Sequence, residues 1–370
     1  MRRIYRRITE YVPGFCLIVF GLLLVSLLLY FLARVNMAAA DFLNSTVSVA
    51  LRQALGGISS VFSFSLFELL LILALPIAVI TVVIGLRVGK DTVGRVKFIA
   101  GLLTVISLIS VSYIFTLGVG YHTTPLSAKL GLPNRSDIST DELYRTAVTV
   151  RDEVNRYSET VGYRAGESIM GYSVDSLSEK LSEAYMQVSR EYSLGIGGLC
   201  RAKPVLFSTV MSDAGITGIY SFFTGETNVN VEYPDYYLPF TAAHEFAHAR
   251  GIARENEANF MAYLVCISSD DVYIRYSGYL NMYSYLAGAL YRADEGLYNE
   301  LRAGLSDSAR SDILAASRVT EAHRDSILGK FSDKANDLYL KSNGEDGVVT
   351  YGYVVRLAVG YHEKIRDGGI

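Results

Sequence analysis

Two histidines and a glutamate near the middle of the chain have the spacing of a metal site. His244 and His248 stand four positions apart in the run HEFAH, and Glu245 directly follows the first. On a helix, positions i and i+4 share one face, so both imidazoles can reach a single ion. A catalytic zinc takes three protein ligands and keeps a fourth position for water, whose proton a neighbouring glutamate can accept. The spacing therefore predicts metal-assisted hydrolysis with Zn²⁺ as cofactor and Glu245 as general base.

The third ligand is expected from the next helical segment. Gly251 suits the left-handed residue that ends a helix, and a second helical pattern begins at about Ala253. Its pattern favours Glu255 as the third ligand, with Glu257 as the alternative. Asn259 lies four residues after Glu255 on the same face and is the candidate to support a ligand by hydrogen bonding.

The segment before the motif is rich in glycine and in β-branched and aromatic residues, which is typical of short strands. The expected strands are 205–210, 216–223 and 227–231. In zinc peptidases a strand beside the motif helix can hold the substrate backbone, so 218–231 is the candidate, with Tyr220 as a possible substrate-binding or oxyanion residue. A hairpin that only packs on the helix is an equally good interpretation.

A zinc peptidase also needs a donor for the oxyanion that forms on the substrate carbonyl. Candidates from the C-terminal part are Tyr351, Tyr361, His323 and His362. They fall in or beside segments with helical patterns, at about 276–303, 306–341 and 348–366. Earlier helices are expected at 140–161 and 173–192.

The composition points to a lipid bilayer as one partner. The chain of 370 residues is 51% hydrophobic and only 19% charged, and its net charge of -3 comes without a basic tract of the kind that binds nucleic acid. Three apolar segments, at about 13–33, 62–86 and 96–119, are long enough to span a bilayer. Glu68 in the second segment is expected at an interface or packed against another helix rather than in a catalytic role.

The distribution of basic residues predicts the orientation. Two basic groups flank the apolar segments and are expected in the cytoplasm: Arg2, Arg3, Arg6 and Arg7, then Arg87, Lys90, Arg95 and Lys97. Three crossings then place the C-terminal domain outside the cytoplasm. The first apolar segment is longer than a signal-peptide core, so a retained anchor is expected.

These observations define a membrane-anchored, mostly α, α+β protein. The expected organisation is a membrane domain at 1–120, a linker at 121–139 and an extracytoplasmic domain at 140–370 with a small β element. The loop between the first two spans is expected at about 34–61.

The run from Thr241 to Cys266 resembles the metal-site segment of the domain of unknown function 3810 family, and Ser212 to Phe240 resembles that family's approach to the site. The resemblance implies a membrane-anchored zinc metallopeptidase with a zincin-like domain. More distantly, the motif followed by Glu255 is similar to the gluzincin arrangement, although Asn259 stands where gluzincins have aspartate.

The expected function is hydrolysis of peptide bonds in envelope or extracellular proteins close to the membrane surface. The alternative is a catalytically inactive metal-binding membrane scaffold or sensor. The sequence leaves the oligomeric state open.

Overall fold

The computed structural model describes residues 9–88, 91–133, 135, 137–198, 200–343 and 351–368. The chain forms two compact units. The first contains the residues up to Thr123 together with Ser221–Gly225, and the second contains Thr124–Tyr220 and Glu226–Ile370. The basic residues predicted to precede the first span, and Lys90, lie outside the described residues.

The first unit contains three helices that are long and apolar enough to cross a membrane. They are α1 (Gly14–Val35), α4 (Leu66–Val88) and α5 (Thr92–Thr116). The prediction of three membrane-length helices is confirmed, with ends shifted by a few residues. Glu68 lies buried in the first turn of α4.

The segment expected to be a loop after α1 is helical instead. It forms α2 (Met37–Leu43), a π-helical turn (Asn44–Ser48) and α3 (Val49–Ser60). The buried Arg52 of α3 explains this order, because its guanidinium donates to Asn44 and to the carbonyl of Thr116 at the end of α5. A 3₁₀ turn (Gly118–His122) follows α5.

The second unit is mostly helical, with two small sheets. Its helices are α6 (Leu126–Lys129), α7 (Thr140–Ser158), α8 (Val174–Glu191), α9 (Ser208–Asp213), α10 (Tyr237–Ala249), α11 (Glu255–Ser268), α12 (Val272–Ala293), α13 (Glu295–Ala303), α14 (Asp307–Ala322), α15 (Ile327–Ser342) and α16 (Tyr351–Arg366). Strands β1 (Gly162–Arg164) and β2 (Glu167–Ile169) form an antiparallel pair. The other sheet has the order β3–β5–β4, from Ala202–Pro204, Glu226–Val229 and Gly218–Ser221, with β3 parallel to β5. Ser221, the last residue of β4, is counted with the first unit.

One predicted strand is wrong. Within 205–210 only Val205 continues the sheet, through a bond from its N–H to the carbonyl of Val229. The hydroxyl of Ser208 then donates to the carbonyl of Val205, and the chain turns into α9. The β-branched residues at 205–210 are typical of a strand, but only the first of them pairs with the sheet. The hydrogen bond from the Ser208 side chain to the backbone favours a turn after Val205.

Two helices predicted as continuous are each divided. The carboxylate of Asp294 accepts the N–H of Leu297 and so caps α13, which separates α12 from α13. The segment 306–341 is divided between Ala322 and Ile327. The helices predicted at 140–161 and 173–192 are present, the first with a capping box formed by Ser139 and Glu142.

Residues predicted to form a linker belong to the core of the second unit. Leu126, Leu130 and Leu132 are buried in that core. The N–H of Leu126 also donates to the carboxylate of Glu257 at 2.9 Å. The boundary between the units accordingly falls between Thr123 and Thr124, because burial of these leucines ties the segment to the second unit.

The helix that carries the histidine motif is held on several sides. It packs against α8, α11, α12 and β5. Its Phe246 is fully buried, the Tyr185 hydroxyl of α8 donates to the carbonyl of Ala243 at 2.6 Å, and the N–H of Phe240 donates to Ser277 of α12 at 3.1 Å. Such packing fixes both the position and the rotation of α10.

Candidate metal centre

A tight turn brings the start of α11 back to the end of α10. Gly251 has a φ of 92°, a conformation that favours glycine, and its N–H donates to the carbonyl of His248 at 2.9 Å. The N–H of Ile252 donates to the carbonyl of Ala247 at 3.0 Å, which is the hydrogen-bond pattern of a helix C-cap. The first residue of α11, Glu255, therefore returns to the face of α10 that carries the histidines.

His244, His248 and Glu255 form one cluster, named here the metal cluster. The two Nε2 atoms of the histidines are 3.1 Å apart, and the rings are nearly perpendicular, at 88°. The Glu255 carboxylate places one oxygen 3.2 Å from Nε2 of His244 and the other 3.4 Å from Nε2 of His248. Three donor groups thus converge on one point.

The spacing of these atoms fits a tetrahedral ion. With zinc–ligand bonds of roughly 2.0–2.2 Å, the edge of a tetrahedron between two ligand atoms is about 3.3 Å. The three separations in the cluster lie within a few tenths of an ångström of that value. Two imidazole nitrogens and a carboxylate are also the donor set that zinc prefers.

The protonation of the histidines supports the same assignment. Nδ1 of His248 lies 2.9 Å from the carbonyl of Ile252, which can only accept a hydrogen bond, so Nδ1 carries a proton and, in the neutral ring, Nε2 is the nitrogen that can bind a metal ion. Nδ1 of His244 is buried and, within the described part of the chain, has no hydrogen-bond partner. The Nε2 atoms of the two histidines and the Glu255 carboxylate therefore face one another.

The pKa shifts reflect this attraction. Burial opposes the charged form of His248, but the neighbouring Glu255 outweighs burial and raises the pKa of His248 to about 9. Burial also acts against ionisation of Glu255, yet the two histidines hold the pKa of its carboxyl well below the usual range. The charges of Glu255 and the histidines thus stabilise each other within the cluster.

Glu245 lies beside the cluster in a tight contact with strand β4. It is 4% exposed, and its carboxylate accepts a hydrogen bond from the backbone N–H of Tyr220. A Cβ atom on Gly218 would lie 2.6 Å from Oε1 of Glu245, so any other residue there would displace the carboxylate. Burial raises the pKa of Glu245, while the charges of His244 and His248 and the Tyr220 N–H oppose the increase.

Of the two candidates for the third ligand, only Glu255 lies beside the histidines. Glu257 points away from the metal cluster: its Oε1 accepts from the N–H of Leu126 and from Arg254 at 3.0 Å. Asn259 is buried one turn after Glu255 on α11. Asn259 was expected to support a ligand by hydrogen bonding. At His248 this hydrogen bond is accepted by the carbonyl of Ile252 instead.

The candidate oxyanion donors are widely distributed. The Tyr220 side chain is buried, and its backbone rather than its ring approaches Glu245. His362 is not at the site, because its Nε2 lies 2.8 Å from the hydroxyl of Tyr263, two turns along α11 from Glu255. Burial lowers the pKa of His362 to about 4, which keeps it neutral. The side chain of Tyr351 lies outside the described residues.

Tyr361 and His323 also lie elsewhere. Tyr361 packs in the core against Phe260 of α11. His323 at the end of α14 binds two carboxylates, with Nδ1 2.8 Å from Asp213 and Nε2 3.2 Å from Glu232. The sequence analysis placed Gly218 at the start of the candidate strand but did not identify its contact with Glu245 or the role of the Ile252 carbonyl, although an isolated glycine in a strand pattern signals a close backbone approach.

A cavity of about 970 Å³ lies at the other end of α11. Its lining includes Ser269, which follows α11, as well as Tyr172, Lys180 and Asp271, and it includes no member of the metal cluster. Since α11 has 14 residues, that end is roughly 20 Å from Glu255. The cavity is therefore separate from the metal cluster.

The fold and the cluster define a mostly helical protein with membrane-length helices and a His–His–Glu group of the kind that binds metal ions. The family model of DUF3810, described as a protein of unknown function, matches residues 43–359. The chain belongs to this family. No curated protein and no solved structure matches the chain.

Proposed function

We propose that the protein is a membrane-anchored zinc metallopeptidase that hydrolyses peptide bonds in envelope or extracellular proteins. The single observation that carries this proposal is the convergence of His244, His248 and Glu255 at distances of 3.1, 3.2 and 3.4 Å. Zinc held by these three residues would supply Lewis-acid activation of water and of the substrate carbonyl.

Each residue of the site has a distinct role in this proposal. His244, His248 and Glu255 hold the ion, and the carbonyl of Ile252 orients His248. Glu245 receives a proton from the attacking water and returns it to the leaving amine. The Tyr220 N–H and the absence of a side chain on Gly218 fix the Glu245 carboxylate in place. The buried surroundings of Glu245 exclude bulk water from its carboxylate.

Strand β4 offers a place for the substrate backbone. It is an edge strand of its sheet, since the order is β3–β5–β4. The Tyr220 N–H of β4 donates to the carboxylate of Glu245, so this strand lies beside the proposed catalytic group. An extended peptide can add to such an edge through backbone hydrogen bonds. This arrangement supports a polypeptide as the substrate, in a zincin-like mode of binding.

The membrane anchor supports a location for the reaction. The basic residues near the ends of α4 and α5, including Arg87, Arg95 and Lys97, favour the cytoplasmic side for that turn. The metal cluster then lies outside the cytoplasm. Its substrates are proteins near the membrane surface.

The test compares wild-type protein with Glu245→Gln, both full-length and reconstituted in lipid nanodiscs. We expect both to hold about one zinc ion per chain, because Glu245 is not a ligand. Cleavage of a mixed peptide library should fall on the order of 10²- to 10⁴-fold in Glu245→Gln, as for loss of a general base. Glu167→Gln, which changes an exposed carboxylate paired with Arg318, serves as the matched control and should cleave like wild type.

Two results would overturn the proposal. If the wild-type protein neither retains nor takes up zinc, the metal assignment fails. If it holds zinc but cleaves no peptide, the alternative of an inactive metal-binding scaffold or sensor replaces the peptidase.

A further inference from the structure

Helix α15 exposes large apolar side chains to an unusual degree. Ile327, Phe331 and Leu338 are 74%, 70% and 71% exposed. None of the described residues of this 16-residue helix is buried. An isolated helix of this length is only marginally stable in water, and most helices gain their stability by covering an apolar face. We therefore expect the apolar face of α15 to be covered by another apolar surface.

The exposed apolar residues form one stripe. An α-helix turns by about 100° per residue, so positions 327, 331 and 338 lie within roughly 40° of each other around the axis. α15 packs against α9, where Gly329 lies close to the carbonyl of Asp213. Val210 of α9 is also 51% exposed. The stripe thus lies beside a second element with an exposed apolar side chain.

A row of lysines runs beside the stripe. Lys330, Lys334 and Lys341 each follow an apolar residue of the stripe by three positions. Three positions correspond to about 300°, so the lysine row lies roughly 60° to one side of the apolar stripe. Long lysine side chains at the border of an apolar face can extend their charge toward lipid headgroups while their stems cover apolar surface.

The membrane is close to this unit along the chain. Helix α5 ends at Thr116 and the second unit begins at Thr124. Seven residues separate them, which span at most roughly 30 Å when extended. A bilayer is therefore always within reach of the second unit. An amphipathic helix with lysines beside an apolar face is typical of helices that lie in the membrane interface.

We propose that α15 lies on the lipid bilayer, with Ile327, Phe331 and Leu338 inserted among the acyl chains and Lys330 and Lys334 level with the phosphates, while Lys341 is paired with Asp337 of the same helix. This contact involves neither the metal cluster nor its chemistry. It gives the second unit a second attachment to the membrane, in addition to the chain that follows α5.

The sequence contains no tryptophan, which allows a direct test. A single tryptophan is introduced into the full-length protein at Phe331 or Leu338, on the apolar stripe. The matched control is Asn336→Trp, an exposed position on the opposite face of the same helix. Tyr291→Trp, at a position that is 54% exposed on α12, controls for the rest of the unit. Each variant is placed in nanodiscs made with ordinary or with brominated phospholipid, since bromine quenches only tryptophans that contact the acyl chains.

We expect F331W and L338W to lose most of their emission in brominated lipid, while N336W and Y291W keep theirs. Equal emission of F331W in the two lipids would overturn the proposal. A blue-shifted F331W emission that brominated lipid does not quench, but that dilution of the protein reverses, would instead assign the face to a second copy of the chain.

Discussion

Two clusters in the second unit use the same residue types in opposite ways. In the metal cluster, both histidines and Glu255 direct their atoms toward one point, with Nδ1 of His248 held by a backbone carbonyl. In the other, named here the His323 cluster, a single imidazole lies between Asp213 and Glu232 and binds one with each nitrogen. Histidine and carboxylate alone therefore do not predict a metal site, which also requires that their ligand atoms converge on one point.

The largest expected effect is on the metal content of variants in the two clusters. His248→Ala and Glu255→Ala should lose the ion, because each removes one of three ligands, whereas wild type should hold about one zinc per chain. His323→Ala and Glu257→Ala should keep it. Elemental mass spectrometry on the purified full-length proteins measures the outcome. Retention of zinc by His248→Ala would contradict the assignment of His248 as a ligand. Loss of zinc from His323→Ala would contradict the assignment of the His323 cluster as free of metal.

A smaller effect should come from Gly218→Ala. The new methyl group would meet Oε1 of Glu245 and the Thr241 side chain, each at 2.6 Å, so the carboxylate must move. Misplacement of a catalytic group by about 1 Å can lower the rate roughly 10²-fold, and we expect a loss of that order in peptide cleavage. Gly171→Ala is the control, because its Cβ would meet nothing within 4 Å.

Zinc content should not change in Gly218→Ala. If its cleavage rate equals that of Gly171→Ala, the contact between β4 and Glu245 has no catalytic importance.

The smallest effect concerns the pH dependence of stability. The hydrogen bond to Asp213 raises the pKa of His323, burial lowers it, and Glu232 raises it further, for a net increase. Because the folded pKa exceeds the unfolded value of about 6.5, the stabilisation is fully present below that pH and is lost as pH rises through the folded pKa. Thermal melts of wild type and His323→Gln measure the difference. Their midpoints should differ more at pH 6 than at pH 9; a difference that does not change with pH would show that the ion pairs contribute no stability.

Much of the site's local geometry could be predicted from spacing. The i, i+4 pair, the turn at Gly251 and the start of the second helix all follow from backbone rules that act over a few residues. The position of Glu257 depends in part on a distant partner, because its carboxylate accepts from the N–H of Leu126 as well as from the nearby Arg254. No local pattern contains that contact.

The same distinction applies to the fold. The three apolar helices were predictable, since about 20 apolar residues in a row have few alternatives. The end of β3 was not predictable in the same way. The residues at 205–210 have the composition of a strand, but the hydroxyl of Ser208 bonds to the carbonyl of Val205 and the chain turns into α9. His362 looked available for catalysis in the sequence, yet its packing against Tyr263 depends on how α16 meets α11.

The short turn after α10 also has a consequence for the order of assembly. All three residues of the metal cluster lie between positions 244 and 255, so closing this loop requires little loss of chain entropy. The His323 cluster joins residues 110 and 91 positions apart. Contacts between distant positions form slowly because long loops must close first. The metal cluster can therefore assemble as soon as α10 and α11 meet, before the C-terminal helices have folded.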